Sequence, residues 1–144
     1  MKKLTFVMLA ILLTGCFNDL IHEERITGNY YLYAIETKSD MKICYKGENS
    51  KLYNPITNPG VRAVWNNDRY IIARNYQCVY DSSECWELNQ DSTEFYIIDM
   101  ESRDKESYLG PFSEQKYLEK KKKLNITEEI VFRELFPQKR NPKR

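Results

Sequence analysis

The side chains of this chain that could carry covalent or acid–base chemistry are four cysteines, one histidine and a scatter of carboxylates. A thiol or hydroxyl nucleophile needs a packed, oriented histidine beside it. The only histidine is His22, which lies close to the N-terminus and reads as a solvated tether residue. Cys44, Cys78 and Cys85 therefore have no source of activation. Three thiols at these spacings with one distant histidine match no zinc pattern. Asp99, Glu101 and Asp104 fall at and beyond a predicted strand end, where a glycosidase pair could sit. Asp99 reads first as a strand terminator that bonds a turn amide. Asp81-Ser82-Ser83-Glu84 lacks the ligand density and glycine of a calcium loop. There is no glycine-rich phosphate loop. No catalytic residue, metal ligand or cofactor is assigned.

The remaining cysteine, Cys16, belongs to a different pattern. Lys2 and Lys3 precede an apolar run from Leu4 to Leu13, then the small pair Thr14-Gly15, then Cys16. The run has the length of a signal-peptide core and falls short of the about 20 residues that a membrane-spanning helix needs. Leu13-Thr14-Gly15-Cys16 resembles the lipobox of bacterial lipoproteins. That resemblance implies a diacylglycerol on the Cys16 thiol, cleavage before it, and acylation of the new amine. Two or three acyl chains, at about 0.8 kcal/mol per buried CH2, anchor a protein stably where one does not. The rival reading is a buried N-terminal helix with Cys16 in its core. It is disfavoured by Asn18-Asp19, which interrupt the apolar run. The expected location is a bacterial cell membrane or outer membrane, on the exported side. Phe17, in place of the aspartate that retains many enteric lipoproteins, favours the outer one where a host has two.

Without residues 1–15 the 144-residue chain keeps 129, enough for one domain and its core. With Lys2 and Lys3 gone, 20 basic side chains face 21 acidic ones. So balanced a chain lacks the electrostatic footprint of a nucleic-acid binder. Eleven tyrosines argue for a folded domain. Export also suits disulfides. Cys78 and Cys85 flank a turn-like stretch and would face each other across a hairpin turning at Asp81-Ser82, where a bridge would contribute about 2–3 kcal/mol. Pairing of Cys44 with either, or three reduced thiols, are the alternatives. One thiol is left over in any monomer.

The elements that must position these groups are mostly strands. Residues 16–27 read as lipidated cysteine and tether, with a short helix possible over Leu20 to Arg25, and 28–137 as the single domain. Asn29 to Glu36 and Met41 to Tyr45 are predicted strands with a turn at Ser39-Asp40. Lys46 to Gly60 is loop-like. Val61 to Trp65, the turn Asn66-Asn67-Asp68 and Arg69 to Tyr76 form the clearest hairpin. A further pair is expected over Gln77 to Tyr80 and Cys85 to Leu88. After the polar Asn89 to Ser92, Phe95 to Asp99 reads as a central strand. Ser113 caps a helix that carries Glu114 first and Lys120 to Lys123 last, each end suited to the macrodipole. Residues 126–136 fit either a short helix or an edge strand, and 138–144 is a basic tail. The fold expected is α+β: an antiparallel sheet of about five to seven strands with one or two C-terminal helices.

The lipobox, Val64-Trp65-Asn66 leading into Arg69-Tyr70-Ile71-Ile72-Ala73, Phe95-Tyr96-Ile97-Ile98-Asp99, and Gly110-Pro111-Phe112 before a Lys-rich helix together resemble a family of small, uncharacterised bacterial lipoproteins. That resemblance implies no activity. The Cys78 to Cys85 segment lies outside its pattern.

Tyrosine and tryptophan are over-represented at interface hot spots. Tyr30, Tyr31, Tyr33, Trp65, Tyr70, Tyr76 and Trp86 fall on predicted strands and are the candidate partner-binding residues, although as sheet core they would need no partner. The function expected is a lipid-anchored, non-enzymatic protein-binding module of the cell envelope, of immunity, exclusion or accessory type, with an envelope or extracellular protein as partner. The alternatives are a carboxylate-dependent hydrolase of cell-wall material and a structural lipoprotein. Two geometric features discriminate: a grouped acidic pair in a deep cleft, or a shallow tyrosine-lined sheet face.

Overall fold

The computed structural model describes residues 22–81, 84–102 and 108–136. Cys16, Asp104 and the basic tail lie outside them. The strands are β1 (His22–Thr27), β2 (Tyr30–Ala34), β3 (Lys42–Tyr45), β4 (Asn54–Pro55), β5 (Val61–Asn66), β6 (Tyr70–Asp81), β7 (Glu84–Asp99), β8 (Tyr108–Phe112) and β9 (Arg133–Glu134); the helix α1 is Glu114–Lys123. The class is α+β with antiparallel pairing and a helix after the main strands. The strands are shared between two sheets, a four-stranded one ordered β1-β2-β3-β4 and a five-stranded one ordered β8-β7-β6-β5-β9.

Alternation decides how the sheets meet. On β2, Tyr30, Leu32 and Ala34 are buried while Tyr31 and Tyr33 are half-exposed. The buried set packs with Met41 and Ile43 against Val61, Val64, Ile71, Ala73, Tyr96 and Ile98 of the other sheet. The second face of the five-stranded sheet carries Tyr70, Ile72, Phe95 and Ile97, which pack against Tyr117 of α1, Ile126 and the chain that follows. β6 and β7 are therefore covered on both sides, which is why Tyr70-Ile71-Ile72-Ala73 and Phe95 to Ile98 are continuous apolar runs. Among the described residues no helix covers the outer face of the four-stranded sheet.

Local chemistry explains the joints. Gly28, at φ +53°, sits in the two-residue turn that joins β1 to β2. Asn67 makes the β5–β6 turn: its Oδ1 accepts from the backbone N–H of Arg69 (2.9 Å) and of Tyr70 (2.7 Å). Ser113 caps α1 by accepting from the Lys116 amide. Lys120 to Lys123 occupy its last turn, as the macrodipole favours.

Two expectations are corrected and one alternative is decided. His22–Thr27 is neither tether nor helix but an edge strand paired with β2, with Glu23 opposite Tyr33. Its apolar Ile26 packs against the core, and the pairing satisfies backbone groups that a helix at Leu20 to Arg25 would have used. The pair expected over 77–80 and 85–88 is not a separate hairpin. It continues β6 and β7, and the polar residues after Leu88 form a bulge, since Gln77 pairs with Asn89 while Tyr76 pairs with Thr93. Residues 126–136 are mostly irregular, with a two-residue edge strand at Arg133–Glu134 on β5. Arg133 reaches back to Glu24 of β1 (2.7 Å), linking the edges of the two sheets.

Candidate functional site

The outer face of the four-stranded sheet is built by the odd-numbered positions of β2. Register places Glu23 and Lys42 on either side of Tyr33, and Arg25 and Cys44 on either side of Tyr31. The segment after β3 returns over this face and adds Tyr53. Its ring stacks on Tyr33, with centroids 4.4 Å apart and planes at 17°, and meets Tyr31 edge-on at 5.5 Å and 85°. Lys46 Nζ stands 4.6 Å from the Tyr53 ring centre and 5.9 Å from that of Tyr31. It also donates to the Tyr53 hydroxyl at 3.1 Å. That hydroxyl in turn donates to the Glu23 carboxylate.

Electrostatics follow this chain of contacts. The Glu23 hydrogen bond, then burial, raises the Tyr53 phenol above its ordinary value. The Tyr53 bond raises the Lys46 ammonium. Both groups keep their protons at neutral pH, so the cluster holds neither a phenolate nor a free amine. Cys44 shares the face by register but is buried, and burial pushes its thiol up to about 11 despite the opposing pull of Lys42. Such a thiol is not a nucleophile at neutral pH. What the face offers is three aromatic rings with a cation and an anion at their rim, the composition of an interface hot spot.

The seven aromatic candidates from the sequence are thereby divided. Tyr31 and Tyr33 come together on this face. Tyr30 points inward, edge-on to Tyr45 at 5.3 Å, and burial raises its phenol. Tyr70 and Trp65 pack in the layer beneath α1, because β5 and β6 are covered on that side too. Tyr30 and Tyr70 are buried, and Trp65 is partly buried. Tyr76 lies under the Arg62 guanidinium, 4.9 Å from its ring centre, and lines a separate cleft. Trp86 is on β7, but its side chain is outside the described residues. Tyr53 was missed because it sits in a stretch broken by Gly47, Asn49, Ser50 and Pro55. A tyrosine and Leu52 amid loop residues was the only signal.

Of the acid–base candidates, Asp99 and Glu101 come together on Arg69. Asp99 is held by Arg69, Nη2 to Oδ2 at 2.9 Å, and accepts from the Glu101 amide at 3.1 Å. Burial raises its carboxyl, but the Arg69 bond and the turn amides outweigh this and leave it below its ordinary value. Glu101 lies 3.4 Å from the same arginine. Both carboxylates are tied into ion pairs with Arg69. Asp81 and Glu84 oppose each other at the end of the β6–β7 hairpin. His22 sits on β1 beside Glu24, at 3.3 Å. Among the described residues no three His, Cys, Asp or Glu side chains gather as metal ligands. Cys44 is free; Cys78 is disulfide-bonded, and its partner's side chain lies outside the described residues.

One carboxyl is buried without a cation. Glu94 is 7 % exposed and lies opposite Asn75, itself fully buried, at the end of the core between the sheets. Burial raises its carboxyl, against hydrogen bonds from the Asn58 side chain and the Cys78 backbone. Glu94 Oε1 and Asn75 Oδ1 both lack hydrogen-bond partners. No second carboxylate faces it across strand register, so the arrangement is not a glycosidase pair.

Residues 27–136 match the family described as "Protein of unknown function (DUF3997)". The chain belongs to the DUF3997 family. The DUF3997 match begins at Thr27, the last residue of β1, and ends after β9, so it takes in β2 to β9, α1 and the three aromatic rings of the face, and leaves Glu23 before it. No curated protein and no solved structure matches the chain. In this DUF3997 chain the motifs at 64–73, 95–99 and 110–112 lie within the match, and the N-terminal Cys16 pattern lies before it.

Proposed function

We propose that the protein is a lipid-anchored binding module of the bacterial cell envelope, and that it holds a protein partner on the outer face of its four-stranded sheet. One observation carries the reading: Tyr31, Tyr33 and Tyr53 form a shallow, uncovered aromatic face rimmed by Lys46 and Glu23, while the grouped acidic residues, Asp99 and Glu101, are neutralised by Arg69. Tyrosine supplies large contact area for little side-chain entropy, which is what a protein interface requires.

The anchor supports the same reading. Lipid on Cys16 holds the protein at the membrane, and β1 begins six residues later. Six residues reach at most about 20 Å. The sheet that carries the aromatic face is therefore the part of the fold joined most directly to the membrane, and its partner would be an envelope or extracellular protein. The disulfide of Cys78 fits an oxidising compartment, with Cys85 as the proposed partner thiol. A β6–β7 arm that extends beyond β5 as two strands is marginal in water and gains most from such a staple.

Two experiments test this. Cys16→Ala is expected to leave the protein uncleaved and released from the lipid-anchored fraction; normal processing and retention would contradict the anchor. Purified protein incubated with cell-wall material is expected to release no fragments, while chemical cross-linking in native envelopes yields a discrete adduct that a Tyr33→Ser/Tyr53→Ser double variant loses. Wall turnover by the pure protein, with no adduct, would replace the binding reading with a hydrolase.

A further inference from the structure

A second site lies away from the aromatic face, where the five-stranded sheet meets β9. A cleft of about 350 Å³ is lined by Arg62, Arg74, Tyr76, Glu134 and Phe136. A second cleft of about 240 Å³ adjoins it through Arg62, Tyr76 and Phe136 and adds Lys38. Three cations thus line the pair of clefts against one carboxylate.

The arginines are positioned but not saturated. Arg62 donates from Nη2 to the Thr93 hydroxyl at 2.7 Å, and its Cζ lies 4.9 Å from the Tyr76 ring centre. Arg74 is paired through Nη2 with Glu134 and lies 4.9 Å from the Phe132 ring centre. The Nε–H of each is buried and has no hydrogen-bond partner. Lys38 Nζ stands 5.3 Å from the Phe136 ring centre. Each guanidinium thus lies against an aromatic ring, and both line one cavity. A guanidinium presents its donors as a fork that matches an oxyanion. Among the described residues the one anion lining this cavity is Glu134, half-exposed on a strand of two residues. An ion pair that exposed is weak and can exchange for another anion.

We propose that this cleft binds a small oxyanion, a carboxylate or phosphate group, between Arg62 and Arg74, with Tyr76 and Phe136 packing on the body that bears it. Glu134 acts as the internal stand-in that the ligand displaces from Arg74. The site is independent of the aromatic face, and either can fail without the other.

The test uses the protein in its processed form, titrated with inorganic phosphate and with benzoate, and with chloride at equal ionic strength as control. The readout is the NMR resonance of each arginine Nε–H together with calorimetry. The expected result is a joint, saturable shift of the Arg62 and Arg74 resonances with at least one oxyanion, at a dissociation constant of about 1 mM or below. Saturation by phosphate alone assigns a phosphate-bearing ligand, by benzoate alone an aromatic carboxylate, and by both a general oxyanion cleft. Arg62→Gln and Arg74→Gln are expected to weaken binding about tenfold or more. Glu134→Gln, on the exposed strand, is expected to keep the fold and tighten binding severalfold. Absence of saturation with both oxyanions, an equal shift with chloride, or unchanged binding in Glu134→Gln and both arginine variants would overturn the proposal.

Discussion

Replacing Glu94 by glutamine should stabilise this protein, and the gain should depend on pH in a defined way. Glu94 and Asn75 are cross-strand partners on β7 and β6, both buried, and each has an acceptor oxygen with no donor. Asn75 cannot turn its amide to help, because its Nδ2 already donates to the Asn58 carbonyl at 3.1 Å. In Glu94→Gln the new amide can donate to Asn75 Oδ1, while its oxygen still accepts from Asn58. One substitution then satisfies both orphaned acceptors and removes a buried charge. Leaving a buried acceptor unsatisfied costs about 1–3 kcal/mol, so a gain of about 1–2 kcal/mol at neutral pH is expected. The sign with pH follows from the raised carboxyl. In the interval between the unfolded and folded values the native state holds a proton that the unfolded chain has lost. The contribution of that proton is complete below the unfolded value and fades as pH rises through the folded one. Urea melts of both proteins, run from about pH 4 to about pH 8, should therefore show a difference that is smallest in acid, widens across the interval and then levels. A variant less stable than the parent at the alkaline end, or a difference that does not change with pH, would refute the reasoning.

Other expected outcomes follow from single contacts. If the protein is exported and lipidated on Cys16 as proposed, its alkylation without reductant should label one thiol, Cys44, and only after denaturation, since that thiol is buried and raised to about 11; three labelled thiols would remove the proposed Cys78–Cys85 bridge. Gly110→Ala should destabilise by at least about 2 kcal/mol in a denaturant melt. Gly110 has φ +142°, and an added Cβ would stand 2.7 Å from the Phe95 carbonyl oxygen and 2.8 Å from the Tyr96 ring. Tyr53→Phe keeps the stack on Tyr33 and should change stability by less than about 1 kcal/mol; Tyr53→Ala also loses two ring contacts and should cost about 1–3 kcal/mol by the same measurement.

Much of the fold was legible because its signals were local. Asn66-Asn67-Asp68 carries its own turn chemistry, and Ser113 its own cap. The continuous apolar runs at 70–73 and 95–98 announced burial on both faces, and Ile71 and Ile98 do face one core while Ile72 and Ile97 face the other. The division into two sheets was not legible. It depends on which strands pair at long range, and β3 leads into β4 and β5 through a loop with no periodicity. β1 was obscured by its polar composition, since an edge strand buries few side chains: Ile26 is its one apolar residue packed on the core. Asn89 to Ser92 read as a break because a bulge and a turn use the same residues. Asn89 Oδ1 accepts from the Asp91 amide at 3.0 Å, as it would in a turn, yet the strand continues. At the aromatic face, the alternation of Tyr31 and Tyr33 was visible. Tyr53 was not, because only tertiary folding brings its loop over β2.

The central claim is that the outer face of the four-stranded sheet holds a protein partner in the envelope. Site-specific photo-cross-linking tests it most directly. A photoreactive side chain is placed at Tyr33 or Tyr53 and, as controls, at the exposed Leu118 on α1 and Val79 on the β6–β7 arm. In intact cells the account predicts one discrete adduct from positions 33 and 53 and none from 118 or 79. No adduct from 33 and 53, or the same adduct in equal yield from 118, would contradict it.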